Sequence, residues 1–253
     1  MLSNPQIQPT TWTPSHMQSL SNLQSLPLRT LLANASDADL RANIRLMRRL
    51  QAKTVIEDGK TCLSWLRHVK TLDPHEKVAI RPFPLHLPYI PIILEELEAY
   101  NQILFMKSRK MKITWIVCAF LLFTARQMPG QFHMLVGQKE SDAFALRDRI
   151  IFMDNHLPDS LRVPKMRKYD DRLILDNNSE IMPTVQDPDV IRMHTASKIF
   201  FDEYGFQKYN REMLIAAKPT IDGGGQIIAV TTAPPRNRSQ KNISVQIYRN
   251  EVI

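Results

Sequence analysis

Cysteine is nearly absent: Cys62 and Cys118 are the only two in 253 residues. They stand far apart with no partner spacing for a zinc site or a redox pair, a pattern that fits a reducing compartment and gives neither a catalytic role. The seven histidines are scattered without ligand spacing, so no catalytic zinc site is expected. Long apolar runs are missing as well. The longest uncharged one, Ile113 to Ala125, has 13 residues, short of the roughly 20 needed to cross a bilayer, and reads as a buried helix. The opening residues, MLSNPQIQPTTWTPSH, contain no basic segment leading into an apolar one, so no secretion signal is expected. No internal repeat is visible.

What the chain does have is a folding composition and an excess of positive charge. Hydrophobic residues make up 43% and charged residues 23%, close to soluble globular proteins and far from disordered or collagen-like chains. Lys and Arg outnumber Asp and Glu 33 to 25, a net charge of +8, so the surface should attract polyanions such as DNA, RNA or anionic lipid. The length suits one α/β domain with an appended segment.

Residues 1–35, rich in Ser, Thr, Gln, Asn and Pro, read as a flexible leader. Residues 36–80 read as a helical N-terminal lobe. Ser36-Asp37-Ala38-Asp39 looks like an N-cap, and Leu40, Ile44, Met47 and Leu50 or Ala52 recur at helical spacing on a helix studded with Arg41, Arg45, Arg48 and Arg49. A second helical stretch is expected around Thr61 to Lys70, then a proline-rich connector (Pro74, Pro82, Pro84, Pro88, Pro91) leading to Ile92–Tyr100. From Asn101 the texture changes to short apolar runs between polar helices, the pattern of an α/β fold with a mainly parallel sheet. Expected strands are 103–106, 132–136, 173–175, 199–201 and 227–230, with helices over 114–126 and 141–153. Trp115, Phe120 and Phe123 fit a helix packed on that sheet. The charge-dense stretch Leu161–Arg172 should be an exposed loop or edge.

Two segments carry chemistry. Ile103-Leu-Phe-Met-Lys-Ser-Arg-Lys-Met-Lys-Ile-Thr114-Trp runs from a strand through a basic turn into an apolar helix. Phosphates need backbone N–H groups at a helix N-terminus, a fixed cation and a hydroxyl that helps hold Mg²⁺, with Thr114 as the hydroxyl. The segment has no glycine, and the G-x-x-x-x-G-K-[ST] pattern fails at both glycines and at the lysine. About 90 residues later, Lys198-Ile-Phe-Phe-Asp-Glu-Tyr-Gly205 ends an apolar strand in adjacent carboxylates. A strand can deliver Asp202 to a magnesium site and Glu203 to an attacking water. A further strand then runs into Thr231-Thr232-Ala233. Asp222-Gly-Gly-Gly225 reads as a turn, and His194 as a structural or surface histidine rather than a base.

The order and spacing of these segments resemble the large subunit of phage terminase. That family's deviant phosphate loop has the form K-S-R-Q-M-G-I-T-W, and KSRKMKITW, Lys107 to Trp115, matches seven of nine positions. Its acidic strand of two apolar residues followed by D-E is similar to Ile199–Phe206, and its S/T-T-A coupling motif to Thr231-Thr232-Ala233. Weaker echoes lie in Leu135–Ala143, in Asn178–Ile181 and in Ile191-Arg192. The resemblance spans roughly residues 80–240 and implies a P-loop NTPase-like ATPase domain over 81–253 that binds ATP and Mg²⁺.

It further implies nucleotide contacts from Lys107, Ser108, Arg109, Lys110, Met111, Lys112, Ile113 and Thr114. Lys107 and Arg109 would meet the β- and γ-phosphates, where a planar guanidinium suits paired oxygens. Thr114 and Asp202 would form the metal site, Glu203 and Arg109 would be catalytic, and Thr231, Thr232 and Ala233 would couple hydrolysis to movement. Arg192 is a conceivable electrostatic contributor. Double-stranded DNA, a portal, a small terminase subunit and a ring of copies in the host-cell cytoplasm are the implied surroundings, with no membrane. Three candidate DNA-facing patches stand out: Arg45, Arg48 and Arg49, then Arg162, Lys165, Arg167 and Lys168, and finally Arg236, Arg238 and Lys241.

Two departures bear on this. Lys110 replaces the family's Gln, and Lys112 its loop glycine, which permits close backbone approach to phosphate and an otherwise strained conformation, so weaker nucleotide binding or another loop path is expected with a lysine there. The chain also stops about 20 residues after Ala233, so the family's nuclease domain, and with it cleavage, is not expected. The alternatives are a catalytically silent DNA-binding or assembly module and a helicase-like ATPase, against which the missing G-K-[ST] loop speaks.

Overall fold

A computed structural model describes residues 60–74, 76–163, 166–233 and 243–248. The leader, the arginine-studded helix after Ser36, and Lys165, Arg236, Arg238 and Lys241 of the candidate DNA-facing patches lie outside the described residues. The fold is a seven-stranded, mostly parallel sheet flanked by helices, as the apolar runs predict.

Short helix α1 (Cys62–Leu66) leads into an antiparallel hairpin of β1 (Lys70–Leu72) and β2 (Ile80–Pro82). Helix α2 (Tyr89–Ala99) precedes β3 (Gln102–Lys107), and α3 (Ile113–Gln127) precedes β4 (Phe132–Gly137). After α4 (Glu140–Asn155) come β5 (Met166–Lys168), β6 (Leu173–Leu175) and β7 (Glu180–Val185). Then follow α5 (Pro188–Arg192), β8 (Lys198–Phe201), α6 (Asn210–Asp222), β9 (Gln226–Thr232) and α7 (Ile243–Tyr248). The strand order is β3-β9-β8-β4-β7-β6-β5. The first five run parallel, β6 is antiparallel to β7, and β5 to β6.

Period-two alternation sends each central strand into two cores. Leu135, Phe200, Ile228 and Val230 join the layer containing α3, whereas Met134, Val136, Ile199, Phe201, Ile227 and Ala229 join the layer containing Met213, Ala216 and Ala217 of α6. Burial on both faces is why these strands read as continuous apolar runs. Every residue of α3 from Ile116 to Ala125 is buried, because α3 lies between the sheet, Trp65 and Leu66 of α1, the inner face of α2 and Leu146 and Ile150 of α4. Each fully buried Leu or Phe there contributes about 1.5–3 kcal/mol. Asn177 closes the far end of α3 by donating from Nδ2 to the Ala125 carbonyl at 2.8 Å.

Three elements differ from expectation. The helix expected over Thr61–Lys70 is only Cys62–Leu66, and the chain then forms the β1–β2 hairpin, so within the helical lobe expected over 36–80 the described residues include a sheet. Strand β7 falls in a stretch broken by Pro183. The proline is tolerated because β6 pairs only with Glu180 and Ile181, so no second strand among the described residues asks for its missing N–H. Helix α6 carries Pro219 inside it, near its C-terminal end. The Leu161–Arg172 stretch holds the short strand β5, at one end of the sheet order, with Arg167 and Lys168 exposed.

His133 of β4 is fully buried, bonded through Nε2 to Thr124 Oγ1 at 3.1 Å, while its Nδ1 has no partner. Burial, aided by the Lys198 charge, drives its pKa from 6.5 down to about 3. The unfolded chain therefore binds a proton that the native state refuses between these values. Stability carried by neutral His133 is fully present above pH 6.5 and is lost as pH falls toward 3. Denaturant titrations should show His133→Leu flattening the pH dependence across that window, whereas an unchanged slope would mean that another group controls it.

Candidate phosphate and magnesium site at the sheet edge

Parallel strands place their carboxyl ends along one edge, where ligands bind in open α/β sheets. Lys107 is the last residue of β3 and pairs in register with Thr232, the last of β9. Asp202 and Glu203 follow the end of β8, the strand on the other side of β9. The basic turn and the paired acids thus share an edge. Lys107 Nζ donates to Glu203 Oε1 at 2.9 Å, and Thr114 Oγ1 donates to Asp202 Oδ1 at 2.9 Å. The other Glu203 oxygen accepts from the Thr232 N–H and hydroxyl, each at 3.2 Å. Thr231 is buried, and its Oγ1 accepts from the Gly205 N–H at 3.1 Å.

Backbone geometry sharpens this site. Glu203 has φ 47° and ψ 43°, a left-handed conformation that non-glycine residues rarely adopt, and it turns the carboxylate back toward Lys107 and Thr232. Lys112, where the terminase loop pattern has glycine, caps α3 with φ 55° and ψ 20°. The turn follows the left-handed path that glycine would favour, with a lysine bearing the strain of order 1–2 kcal/mol. No side-chain cap satisfies the first turn of α3, and N–H groups left so at a helix N-terminus are able to receive an anion.

The two acids sit in different electrostatic surroundings. Burial raises the pKa of Asp202 and the Glu203 charge adds to it, while Thr114, Lys107 and Arg149 act downward without cancelling the rise. Burial also acts upward on Glu203, but the hydrogen bonds and charge from Lys107 and the bonds from Thr232 outweigh it, leaving Glu203 below the ordinary glutamate range. The Thr114 hydroxyl and Asp202 carboxylate are hard oxygen donors. No group of three or more His, Cys, Asp or Glu side chains among the described residues is placed to hold a metal ion. That donor set fits Mg²⁺, which takes one or two protein oxygens and completes its shell with phosphate and water.

The remaining expected residues scatter. Ser108, Arg109 and Lys110 are exposed in the turn, Lys110 with φ 68°, and Arg109 has no ion pair among the described residues. Ala233 is exposed beyond β9. Arg192 is exposed and pairs with Asp189 at 2.6 Å, and His194 packs its ring against Phe132 with centroids 5.3 Å apart. Arg162, expected to face DNA, donates to the Asp154 and Asn155 carbonyls at the end of α4 and pairs with Asp159. The expectation that Arg236 and Arg238 face DNA falls on positions outside the described residues, as does that for Lys165.

Several neighbours were not singled out in the sequence. Arg149 stands over the Trp115 ring at 5.9 Å, Gln207 donates to the Asp202 carbonyl at 3.0 Å, Tyr89 OH donates to the Met111 carbonyl at 3.1 Å, and Asp73 pairs with Lys112. No spacing rule links such distant positions. Nearness to the flagged acidic pair was the available signal for Gln207 alone, five residues after Asp202.

No protein-family model matches the chain, and no curated protein matches it significantly. Solved structures do. The large terminase of bacteriophage HK97 superposes with a TM-score of 0.56 at 11% identity, covering 78% of this chain and 41% of that one. The chain shares the fold of the matched part of that large terminase. The large terminase ATPase domain of Thermus phage P74-26 matches with a TM-score of 0.46 at 14% identity over 55% of this chain and 62% of that one. The large terminase of a thermophilic bacteriophage, solved in complex with ADP, gives 0.41 at 13% identity over 56% and 37%. The chain therefore spans less than two thirds of the length of each of these terminase chains.

The loop after β4 must pass close under α4. A Cβ on Gly137 would lie 2.4 Å from the Ala143 backbone nitrogen and 2.9 Å from the Lys139 carbonyl oxygen. Gly137→Ala should cost about 1–3 kcal/mol, as overpacking against backbone does. Chemical denaturation checks this, and a variant as stable as the parent would show that the α4 start can move aside.

Proposed function

We propose that the chain is the ATP-hydrolysing motor region of a viral DNA-packaging terminase, with Mg·ATP held at the carboxyl edge of β3, β8 and β9. The observation that carries the reading is the convergence of Lys107, Thr114, Asp202, Glu203 and Thr232 at one sheet edge, in a fold shared with the HK97 large terminase. Thr114 Oγ1 and Asp202 Oδ1 would hold magnesium, which when bound neutralises charge on the phosphate oxygens. The uncapped first turn of α3 receives phosphate through backbone N–H groups, and Lys107 supplies a fixed cation beside them. Arg109, exposed in the turn, is free to reach a phosphate from the solvent side.

Glu203 stays ionised because Lys107 and Thr232 stabilise its charged form. An ionised carboxylate there accepts a hydrogen bond from the attacking water and orients it. Because Thr232 bonds the same carboxylate that Lys107 holds, movement of Lys107 toward phosphate on one side changes the load on Thr232 at the end of β9 on the other. That shared carboxylate is the physical basis for assigning Thr231, Thr232 and Ala233 to coupling. Double-stranded DNA, a portal, a small subunit and a ring of copies belong to this same proposal. No helix among the described residues is long and apolar enough to cross a membrane.

The decisive assay is DNA-stimulated ATP hydrolysis by the parent and by Glu203→Gln. The variant should lose about 100-fold or more of the rate while still binding nucleotide. A parent no faster than the variant would sink the enzyme reading in favour of a silent DNA-binding module.

DNA contact through Lys and Arg to phosphates should fade steeply with salt and show little sequence preference. If Arg167 and Lys168 each neutralise one phosphate, replacing both with Gln lowers the slope of log affinity against log salt by about 2. An unchanged slope would remove that strand from the DNA-facing surface.

A further inference from the structure

Lys112 is not a bystander in the phosphate turn. Its Nζ lies 3.2 Å from Asp73 Oδ2, and both side chains are largely shielded, at 22% and 30% exposure. Asp73 is anchored in turn: it directly follows β1, and its N–H donates to the Ala79 carbonyl at 2.8 Å across the β1–β2 hairpin. The hairpin is itself tied to the core, since the Phe83 N–H donates to the Val69 carbonyl at 3.0 Å and both side chains are buried. One residue before Lys112, the Met111 carbonyl accepts from Tyr89 OH. Two segments that precede the seven-stranded sheet in sequence therefore grip adjacent residues of the turn, Lys112 by charge and Met111 by a neutral hydrogen bond.

These two grips differ in what a phosphate would do to them. The Tyr89 bond ends on a carbonyl oxygen, which an anion does not attract. The Asp73 bond ends on an ammonium at the mouth of an uncapped helix N-terminus, which an anion attracts strongly. A carboxylate and a phosphate oxygen offer that ammonium the same interaction, so they compete for it, and each also repels the other.

We propose that Asp73 is an internal competitor of the nucleotide: it holds the Lys112 amine and yields it to a β- or γ-phosphate oxygen on binding. The inference rests on the nucleotide-binding reading of this edge and adds a residue to it. It also gives Lys112 a function at the position where the terminase loop pattern has glycine. The left-handed backbone at φ 55° keeps the loop path, and the side chain brings a charge that glycine lacks, regulated by Asp73.

The sign of one substitution separates competition from bracing. If Asp73 merely braces the turn, Asp73→Asn loosens the site and weakens binding. If Asp73 competes, the same change frees Lys112 and removes a repelling charge, so affinity rises. The full chain should be titrated calorimetrically with a non-hydrolysable ATP analogue and Mg²⁺, as parent, Asp73→Asn, Lys112→Gly and the double variant. Asp73→Asn is expected to bind about two- to fivefold more tightly, the scale of one half-shielded ion pair. In the Lys112→Gly background the gain should fall to the residual repulsion alone, well below that in the parent, because the contested amine is gone.

Weaker or unchanged binding by Asp73→Asn overturns the proposal, as does an equal gain in both backgrounds. Lys112→Gln, which removes the charge and keeps a side chain, repeats the comparison should glycine loosen the turn. Thermal melts of each variant report folding. Binding by Asp73→Asn where the parent binds nothing supports the competitor in its strongest form. Failure of both to bind overturns it together with the nucleotide reading. Tight binding without hydrolysis by the parent leaves the competitor standing and removes only the motor.

Discussion

The ion pair between Lys107 and Glu203 holds the candidate site together, and it exists only because of where three strands end. Strands β3 and β8 are not neighbours, since β9 runs between them. The pair reaches across the end of β9, and Thr232 closes it from below by giving both its N–H and its hydroxyl to the free oxygen of the same carboxylate. Glu203 reaches this position by adopting a backbone conformation that costs energy. A strained residue persists where several partners fix it, and here three hydrogen bonds to one carboxylate do so. Shifting any of the three strands by one residue would turn its side chains to the opposite face and dissolve the cluster.

That dependence explains how the rest of the chain is arranged. Helix α3 must start where Thr114 meets Asp202, so its axis is set by the site. Its burial from Ile116 to Ala125 then demands cover on every side. The sheet covers one side, α4 another, and α1 and α2 the remainder. The hairpin arrives with α1 and α2, which is how Asp73 comes within reach of Lys112. Packing thus brings a carboxylate to the basic turn that no local rule would have placed there.

Legibility in the sequence followed the same division. Strands β3, β4, β8 and β9 were readable because central parallel strands are apolar on both faces, and α3 because its apolar run is uninterrupted. Strand β7 and helix α6 were hidden by Pro183 and Pro219, residues whose cost depends on which backbone bond is lost, a tertiary fact. That the Arg162 guanidinium caps α4 is not legible, since charge density in a sequence does not say whether a carbonyl lies nearby. Within the site, motif order pointed to Lys107, Thr114, Asp202 and Glu203. The bond between Lys107 and Glu203 was not readable, because it depends on the strand order β3-β9-β8, which local sequence leaves open.

Lys112 shows most clearly how a sequence rule can mislead. A lysine in place of a loop glycine suggests a changed backbone path, because glycine is the residue that tolerates positive φ cheaply. The turn nevertheless keeps that conformation. Lysine cannot relieve the torsional cost, so the compensation must come from its side chain and from the bonds that hold its neighbours. The Asp73 ion pair and the Tyr89 hydrogen bond to Met111 are two such contacts. A glycine would need neither, and it would leave the turn with one cation fewer beside Lys107. Lysine in place of glycine therefore exchanges a cheap, neutral turn for a strained, charged and externally gripped one, and the conformation of this edge depends on residues 73 and 89 in a way that a glycine loop would not.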